Sequence, residues 1–167
     1  MKTFLLIFTY LLIFTGCSSN NAFDLFKMNK DQERSVTSLQ TTKILTKDGY
    51  VSGIFSAIYL NEVYPDSFND NEYFFVYIYL KKEEQMYDPK KLIKTNLNLK
   101  LNGKAVVKLE KLPTKNKFSH LISTQSDWNT YYLVTFLTDK KRDLSLNLEL
   151  ESDQSSSAVL KYLKAEQ

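Results

Sequence analysis

The sequence predicts an all-β chain, an antiparallel β-sandwich preceded by one short helix, with a closed barrel as the alternative. Three observations carry that reading. Residues 72–81 are apolar on both faces, Phe74, Val76, Ile78 and Leu80 on one and Tyr73, Phe75, Tyr77 and Tyr79 on the other, as in a strand covered on both sides. Residues 144–151 alternate leucine with serine, asparagine or glutamate, the period of a strand with one buried and one wet face. Eleven tyrosines and eleven phenylalanines stand against four glycines and three prolines, a composition suited to packed strands and not to a low-complexity stalk.

The elements follow in order. Residues 22–34 place Phe23, Phe26 and Met28 near helical spacing and predict the short helix. Residues 36–46 are rich in β-branched side chains and stop at the turn signal Lys47-Asp48-Gly49. A long strand over 50–63 follows, with Gly53 as a candidate bulge, and then a turn-rich loop over 64–71. The strand over 72–81 forms the centre of the sheet. A charged connection over 82–94, with a helical turn near 90–93, leads to a hairpin over 95–112. There a three-residue loop, Leu101-Asn102-Gly103, pairs Leu99 with Ala105 and Leu97 with Val107, whereas a two-residue loop turns Ala105, Val107 and Leu109 to the wrong face. The long connection over 112–129 holds a short strand at 118–123. Strands over 130–138, 144–151 and 158–164 complete the set.

Seven residues refine the class. Asp127-Trp128-Asn129-Thr130-Tyr131-Tyr132-Leu133 resembles the tyrosine corner of immunoglobulin-like sandwiches, with Asn129 in place of the small residue and Leu133 in place of the cysteine. The resemblance implies an immunoglobulin-like sandwich in which the Tyr131 hydroxyl bonds back to the upstream backbone.

Chemistry-bearing patterns are sparse. The single histidine, His120, lies in Phe118-Ser119-His120-Leu121 without a Gly-x-Ser-x-Gly elbow, so a half-buried strand residue is preferred to a catalytic base. One histidine and one cysteine do not make a zinc site of the usual kind. Asp66, Asp70 and Glu72 lack the order of a calcium loop and read as a solvated turn. Glycine-rich phosphate loops are absent from the sequence. The expectation is therefore a non-enzymatic chain without cofactor or metal. A formal charge of +3 is too mild to argue for nucleic acid.

Two surfaces carry the binding reading. Lys100, Lys104 and Lys108 share the outward face of the hairpin on the expected register, within a stretch that is lysine-rich throughout. They could meet anionic headgroups or an acidic partner, although an ordinary wet face that discourages edge pairing is preferred. Tyr73, Tyr77 and Tyr79, with Phe75, form an interface if exposed and half of a second core layer if buried. Burial is preferred.

The N-terminus gives an address. Met1-Lys2 precede an apolar run over residues 4–15, which ends in Thr15-Gly16 and the only cysteine, Cys17. The run is too short for a membrane span, which needs about 20 residues, and matches the roughly 7–15 of a secretory h-region. Phe14-Thr15-Gly16-Cys17 resembles the lipobox of bacterial lipoproteins. The resemblance implies cleavage before Cys17, a diacylglycerol on its sulfur and an acyl chain on its amino group. It also accounts for a lone cysteine in an exported chain. In the diderm lipoprotein sorting pattern that this resembles, Ser18 at the following position is permissive for the outer membrane, the expected location, with the leaflet left open. The expected organisation is a signal peptide over 1–16, an acylated tether with the short helix over 17–34, and a sandwich domain over 35–167. Together these features resemble the broad group of small diderm lipoproteins with immunoglobulin-like or transthyretin-like sandwiches. They imply a non-catalytic module that binds an unidentified protein or an anionic envelope or host partner. Surface adhesion or host contact comes first; a periplasm-facing subunit of an envelope or secretion complex is the alternative.

Overall fold

The computed structural model describes residues 29–82, 84, 86–90, 97–138, 144–153 and 155–164. Cys17 and its surroundings lie outside these residues, as do most of the helical turn expected at 90–93 and the turn at 140–143.

Among the described residues, nine strands form two antiparallel sheets. In chain order they are β1 (Leu39–Leu45), β2 (Val51–Tyr59), β3 (Glu72–Leu80), β4 (Leu97–Leu101), β5 (Lys104–Ala105), β6 (Lys108–Leu112), β7 (Asn129–Phe136), β8 (Ser145–Ser152) and β9 (Ala158–Leu163). One sheet has the order β1-β2-β3-β7-β6 and the other β5-β4-β8-β9. The all-β sandwich expected from the sequence is the fold observed. Alternating residues of both sheets meet between them: Phe55, Phe74, Val76, Val134 and Phe136 from the first, Leu99, Leu148, Leu150 and Leu160 from the second. The leucines of β8 are buried and its polar residues are not, as the alternation predicts.

Strand β3 sits between β2 and β7, the central position its two apolar faces require. Its second face is covered by α1 (Lys30–Ser38), α2 (Leu60–Val63) and a 3-10 turn (Ser119–Leu121), which with the loops around them close a second core. The helix α1 departs from expectation. It runs to Ser38, so Val36, Thr37 and Ser38 are helical and not strand, and it straddles the boundary expected at 34–35. Its sequence signal is the capping box: the Asn29 side chain accepts from the Gln32 amide, and the Gln32 side chain accepts from the Asn29 amide. This stop-start chemistry outweighs the β-branched pair at 36–37, because the helix is held by its serines. Ser35 donates to the Leu121 carbonyl and Ser38 to that of Tyr59.

The hairpin register is a second correction. Lys100 pairs with Ala105 and Leu101 with Lys104, a two-residue Asn102-Gly103 turn with φ of 47° and 77°, as a type I′ turn demands. The objection that later residues would face the wrong way fails for a physical reason. After two residues the strand leaves the four-stranded sheet, buries Val106, and joins the other sheet as β6. Its alternation resets at the crossing. The 118–123 strand is likewise absent; that stretch is the 3-10 turn. Gly53 is not itself the bulge. The register slips beside it, between Ile44 and Leu45, and a Cβ on Gly53 would meet the Tyr79 carbonyl oxygen at 2.3 Å. Glycine permits this close approach of backbones.

Tyr131 behaves as the corner resemblance implies. Its hydroxyl donates to the Ser126 carbonyl at 3.0 Å and accepts from the Ser126 amide at 2.9 Å, pinning the end of the long connection to β7. At the opposite end of the sandwich Glu72, 3% exposed, is not part of a solvated turn. It accepts from the Tyr59 hydroxyl and pairs with Lys164, because a buried carboxylate is tolerated only when it is paired and hydrogen-bonded.

Two tests follow from these contacts. Gly53→Ala should destabilise the chain by about 1–3 kcal/mol, read as a lowered urea midpoint, since backbone cannot yield as a side chain does. Burial pushes the phenols of Tyr59 and Tyr162 far above their usual range, with the bond to Glu72 adding to the effect at Tyr59. Below about pH 10 both phenols are protonated in either state. Above it the unfolded chain sheds these protons and the folded one keeps them, so stability falls by up to about 1.4 kcal/mol per pH unit per tyrosine. Urea midpoints measured between about pH 9 and pH 11 should show this fall, and Tyr162→Phe should make it shallower.

Candidate functional site

The outer face of the five-stranded sheet is divided. Cross-strand rows run Leu39–Ile58–Phe75–Leu133, then Thr41–Ser56–Tyr77–Tyr131–Leu112, then Lys43–Ile54–Tyr79–Asn129. The first row lies under the second core, where Phe75 is fully buried and packs on Phe118 at a ring separation of 5.3 Å. The second row is its margin, with Tyr77 half-buried against Tyr131. Burial raises the Tyr77 phenol above its usual range. The third row lies outside both cores. Ile54 is 42% exposed, Tyr79 is half-exposed and Lys43 is exposed.

Apolar exposure continues from that row to the near end of the sandwich. Leu45 and Val51 are cross-strand partners, each exposed, and Tyr50 precedes them at the turn. Trp128, the only tryptophan, stands 80% exposed immediately before Asn129. The rim is basic: Lys43, Lys47, Lys81 and Lys82 are exposed there, against the carboxylates of Asp48 and Asp127. An apolar, partly aromatic sheet face rimmed by lysines is the composition of a protein-binding surface.

The residues singled out in the sequence separate in the structure. Of the tyrosines, Tyr73 and Tyr77 pack against the second core, as preferred, and the Tyr73 hydroxyl donates to Asp70 at 2.7 Å. Tyr79 belongs to the uncovered patch. The lysines do not share a face. Lys100 pairs with Glu151 at 2.7 Å on the wet side of the four-stranded sheet. The two-residue register puts Lys104 on the opposite side of the hairpin from Lys100, and Lys108 lies in the other sheet. The exposed residues Ile54 and Trp128 were not legible as site residues. Ser56, two residues from Ile54 on the same face, gives no signal of exposure, since it is itself buried at 2%.

His120 is not in a strand. It sits in the 3-10 turn, where its Nε2 meets the Tyr64 hydroxyl at 2.7 Å and its carbonyl accepts from the Gln32 side chain. Burial first, and the charge of Asp31 second, raise the Tyr64 phenol. The bond from Gln32 to the His120 carbonyl joins α1 to the turn beneath it. Among the described residues there is no group of three or more His, Cys, Asp or Glu placed to hold a metal ion, and no helix long and apolar enough to cross a membrane. No protein-family model, curated protein or solved structure matches the chain.

The division of the sheet face has a measurable consequence. Phe75→Ala should cost about 3–5 kcal/mol, while Tyr79→Ala, four residues along the same face, should cost about 1 kcal/mol. Equal losses in urea denaturation would mean that the second core extends over both.

Proposed function

We propose that the chain is a lipid-anchored, non-catalytic binding module of the bacterial outer membrane, which engages a protein partner through the uncovered half of its five-stranded sheet. The observation that carries the reading is exposed Ile54 paired with half-exposed Tyr79, with exposed Trp128 next to Asn129 of the same row, on a face whose other half is sealed. Tyrosine and tryptophan supply large contact area at low cost in side-chain entropy, and such residues dominate binding energy where they are found at interfaces. The lysine rim favours a partner with an apolar centre and an acidic border.

The lipobox-like Phe14-Thr15-Gly16-Cys17 supports the anchor. Two or more acyl chains hold a protein stably where one does not. Presented outward, the patch makes the chain an adhesion or host-contact module. Presented to the periplasm, it makes the chain a subunit of an envelope complex.

Metabolic labelling with an alkyne palmitate should mark the wild-type chain and leave Cys17→Ala unmarked. Protease shaving of intact cells should remove the protein if it faces outward, and only permeabilised cells should lose it if it faces inward. Crosslinking in those cells should give a discrete adduct that the pair Ile54→Asp and Tyr79→Ala abolishes, with the unfolding free energy from urea denaturation lowered by no more than about 2 kcal/mol for the pair. An adduct unchanged by these substitutions would remove the patch from the reading.

A further inference from the structure

The Tyr131 hydroxyl is committed to a segment that adds nothing to either core. Residues 123–128 belong to neither hydrophobic cluster; 123–125, Asp127 and Trp128 are exposed and Ser126 is half-buried. The hydroxyl nevertheless uses its full bonding capacity there. It donates to the Ser126 carbonyl at 3.0 Å, and accepts from the Ser126 amide at 2.9 Å and from the Asn129 side chain at 3.5 Å. A phenol has one donor and two acceptor positions to give. By contrast, the hydroxyls of Tyr162 and Tyr59 bind the sandwich itself, donating to the Ala57 carbonyl and to Glu72.

The segment is also closed from within. The Asn129 amide donates to the Ser126 carbonyl at 3.1 Å, and the Trp128 amide to the Ser126 hydroxyl at 3.2 Å. Ser126 to Asn129 therefore form a hydrogen-bonded β-turn with Trp128 at its third position. None of the four has a positive φ, as a type I turn requires, and serine is favoured at the first position of that type. The base beneath the turn is buried. Tyr131 is 1% exposed, and its ring stacks on Phe75 at 6.1 Å with an interplanar angle of 11°. The second core thus holds the ring, the hydroxyl holds Ser126, and Ser126 holds the backbone of Trp128, whose side chain stands 80% exposed.

We infer that Tyr131 is a positioning residue of the binding surface: acting through Ser126, it fixes the backbone that presents Trp128 to an apolar pocket of the protein partner. The inference rests on the function proposed above and deepens it. Trp128 becomes a central contact, and its placement depends on a buried hydroxyl that the partner does not touch. Fixing a turn before binding removes the ordering cost that a loose one would incur at that step. An indole has only two side-chain torsions left to order, and tryptophans seated in well-packed pockets are enriched among the residues that dominate binding energy. Stability alone does not account for the arrangement, because the pinned residues bury no apolar side chain in either core.

Tyr131→Phe keeps the stacked ring and removes only the hydroxyl, and the single tryptophan reports on the turn directly. In the purified full-length chain this variant should speed amide exchange at residues 127–129 by about tenfold more than at the β3 amides, which follow opening of the whole fold. The fluorescence anisotropy of Trp128 should fall with it. Exchange and anisotropy both unchanged would overturn the positioning role. In cells, Trp128→Ala should lower the yield of the crosslinked adduct by about tenfold or more, and Tyr131→Phe should lower it severalfold. Asp127→Pro pre-sets the second position of a type I turn and should restore the adduct to Tyr131→Phe, a rescue expected of a conformational role. An adduct abolished by Ile54→Asp with Tyr79→Ala, yet undiminished in Trp128→Ala or in Tyr131→Phe, would overturn this inference and leave the proposed function standing. No adduct from the wild-type chain would remove the proposed function, and the inference with it.

Discussion

A strand that is apolar on both faces has to be covered on both, and β3 imposes that requirement on everything around it. Its inward face is met by the second sheet. Its outward face carries Phe75 and Tyr77, and leaving a phenylalanine of this kind in water forgoes about 1.5–3 kcal/mol. A two-layer sandwich by itself cannot meet the demand. The helical residues among those described, and the connection 113–128, therefore form a third layer over β3. Gly53 belongs to the same constraint, because it lets β2 and β3 approach closely enough for a side chain between them to be impossible.

The third layer is built economically and unevenly. The two fully buried residues of α1 are serines, and its one aliphatic side chain, Val36, faces outward at 47% exposure. The helix is held by hydrogen bonds from Gln32, Arg34, Ser35 and Ser38 to carbonyls of the 3-10 turn, α2 and β2. Each such bond contributes only about 0.5–1.5 kcal/mol net, so α1 covers apolar neighbours without contributing much apolar surface itself. Segments of this kind stand at the low-stability end of a fold.

How much of this was legible follows from where the information sits. The central position of β3, the half-wet alternation of β8 and the backbone bond of Tyr131 are written in local sequence, and each was readable there. The helix runs past its expected end because its signal is polar. Phe23 and Phe26, which carry the apolar periodicity, lie outside the described residues, whereas the helix observed depends on a capping box at Asn29 and Gln32. The hairpin register was misread because local alternation assumes one sheet, and the chain changes sheets at Val106. That single crossing also dissolved the expected lysine face, since Lys100 and Lys108 ended in different layers. The aromatic patch was only half visible. Sequence marks Tyr73, Phe75, Tyr77 and Tyr79 as one stripe, and nothing in their order says that the cover stops between Tyr77 and Tyr79.

The point at which the cover stops is informative about what the uncovered half is for. The connection 113–128 is long enough to reach over the sheet, and it does so with Phe118 and Leu121. It then ends in Ser126-Asp127-Trp128, anchored by the Tyr131 hydroxyl, and leaves Trp128 in water. An indole buries about 150–250 Å², worth roughly 4–6 kcal/mol at the usual coefficient. Ile54 and Tyr79, which also lie outside both cores, offer an apolar surface on which such burial could be gained. Here the sealed half of the face supplies stability, and the tyrosine corner fixes Asn129 beside the open half. The tryptophan and the sheet row thus form, among the described residues, a pre-formed surface, and on the function proposed here little ordering entropy would be lost when a partner closes over them.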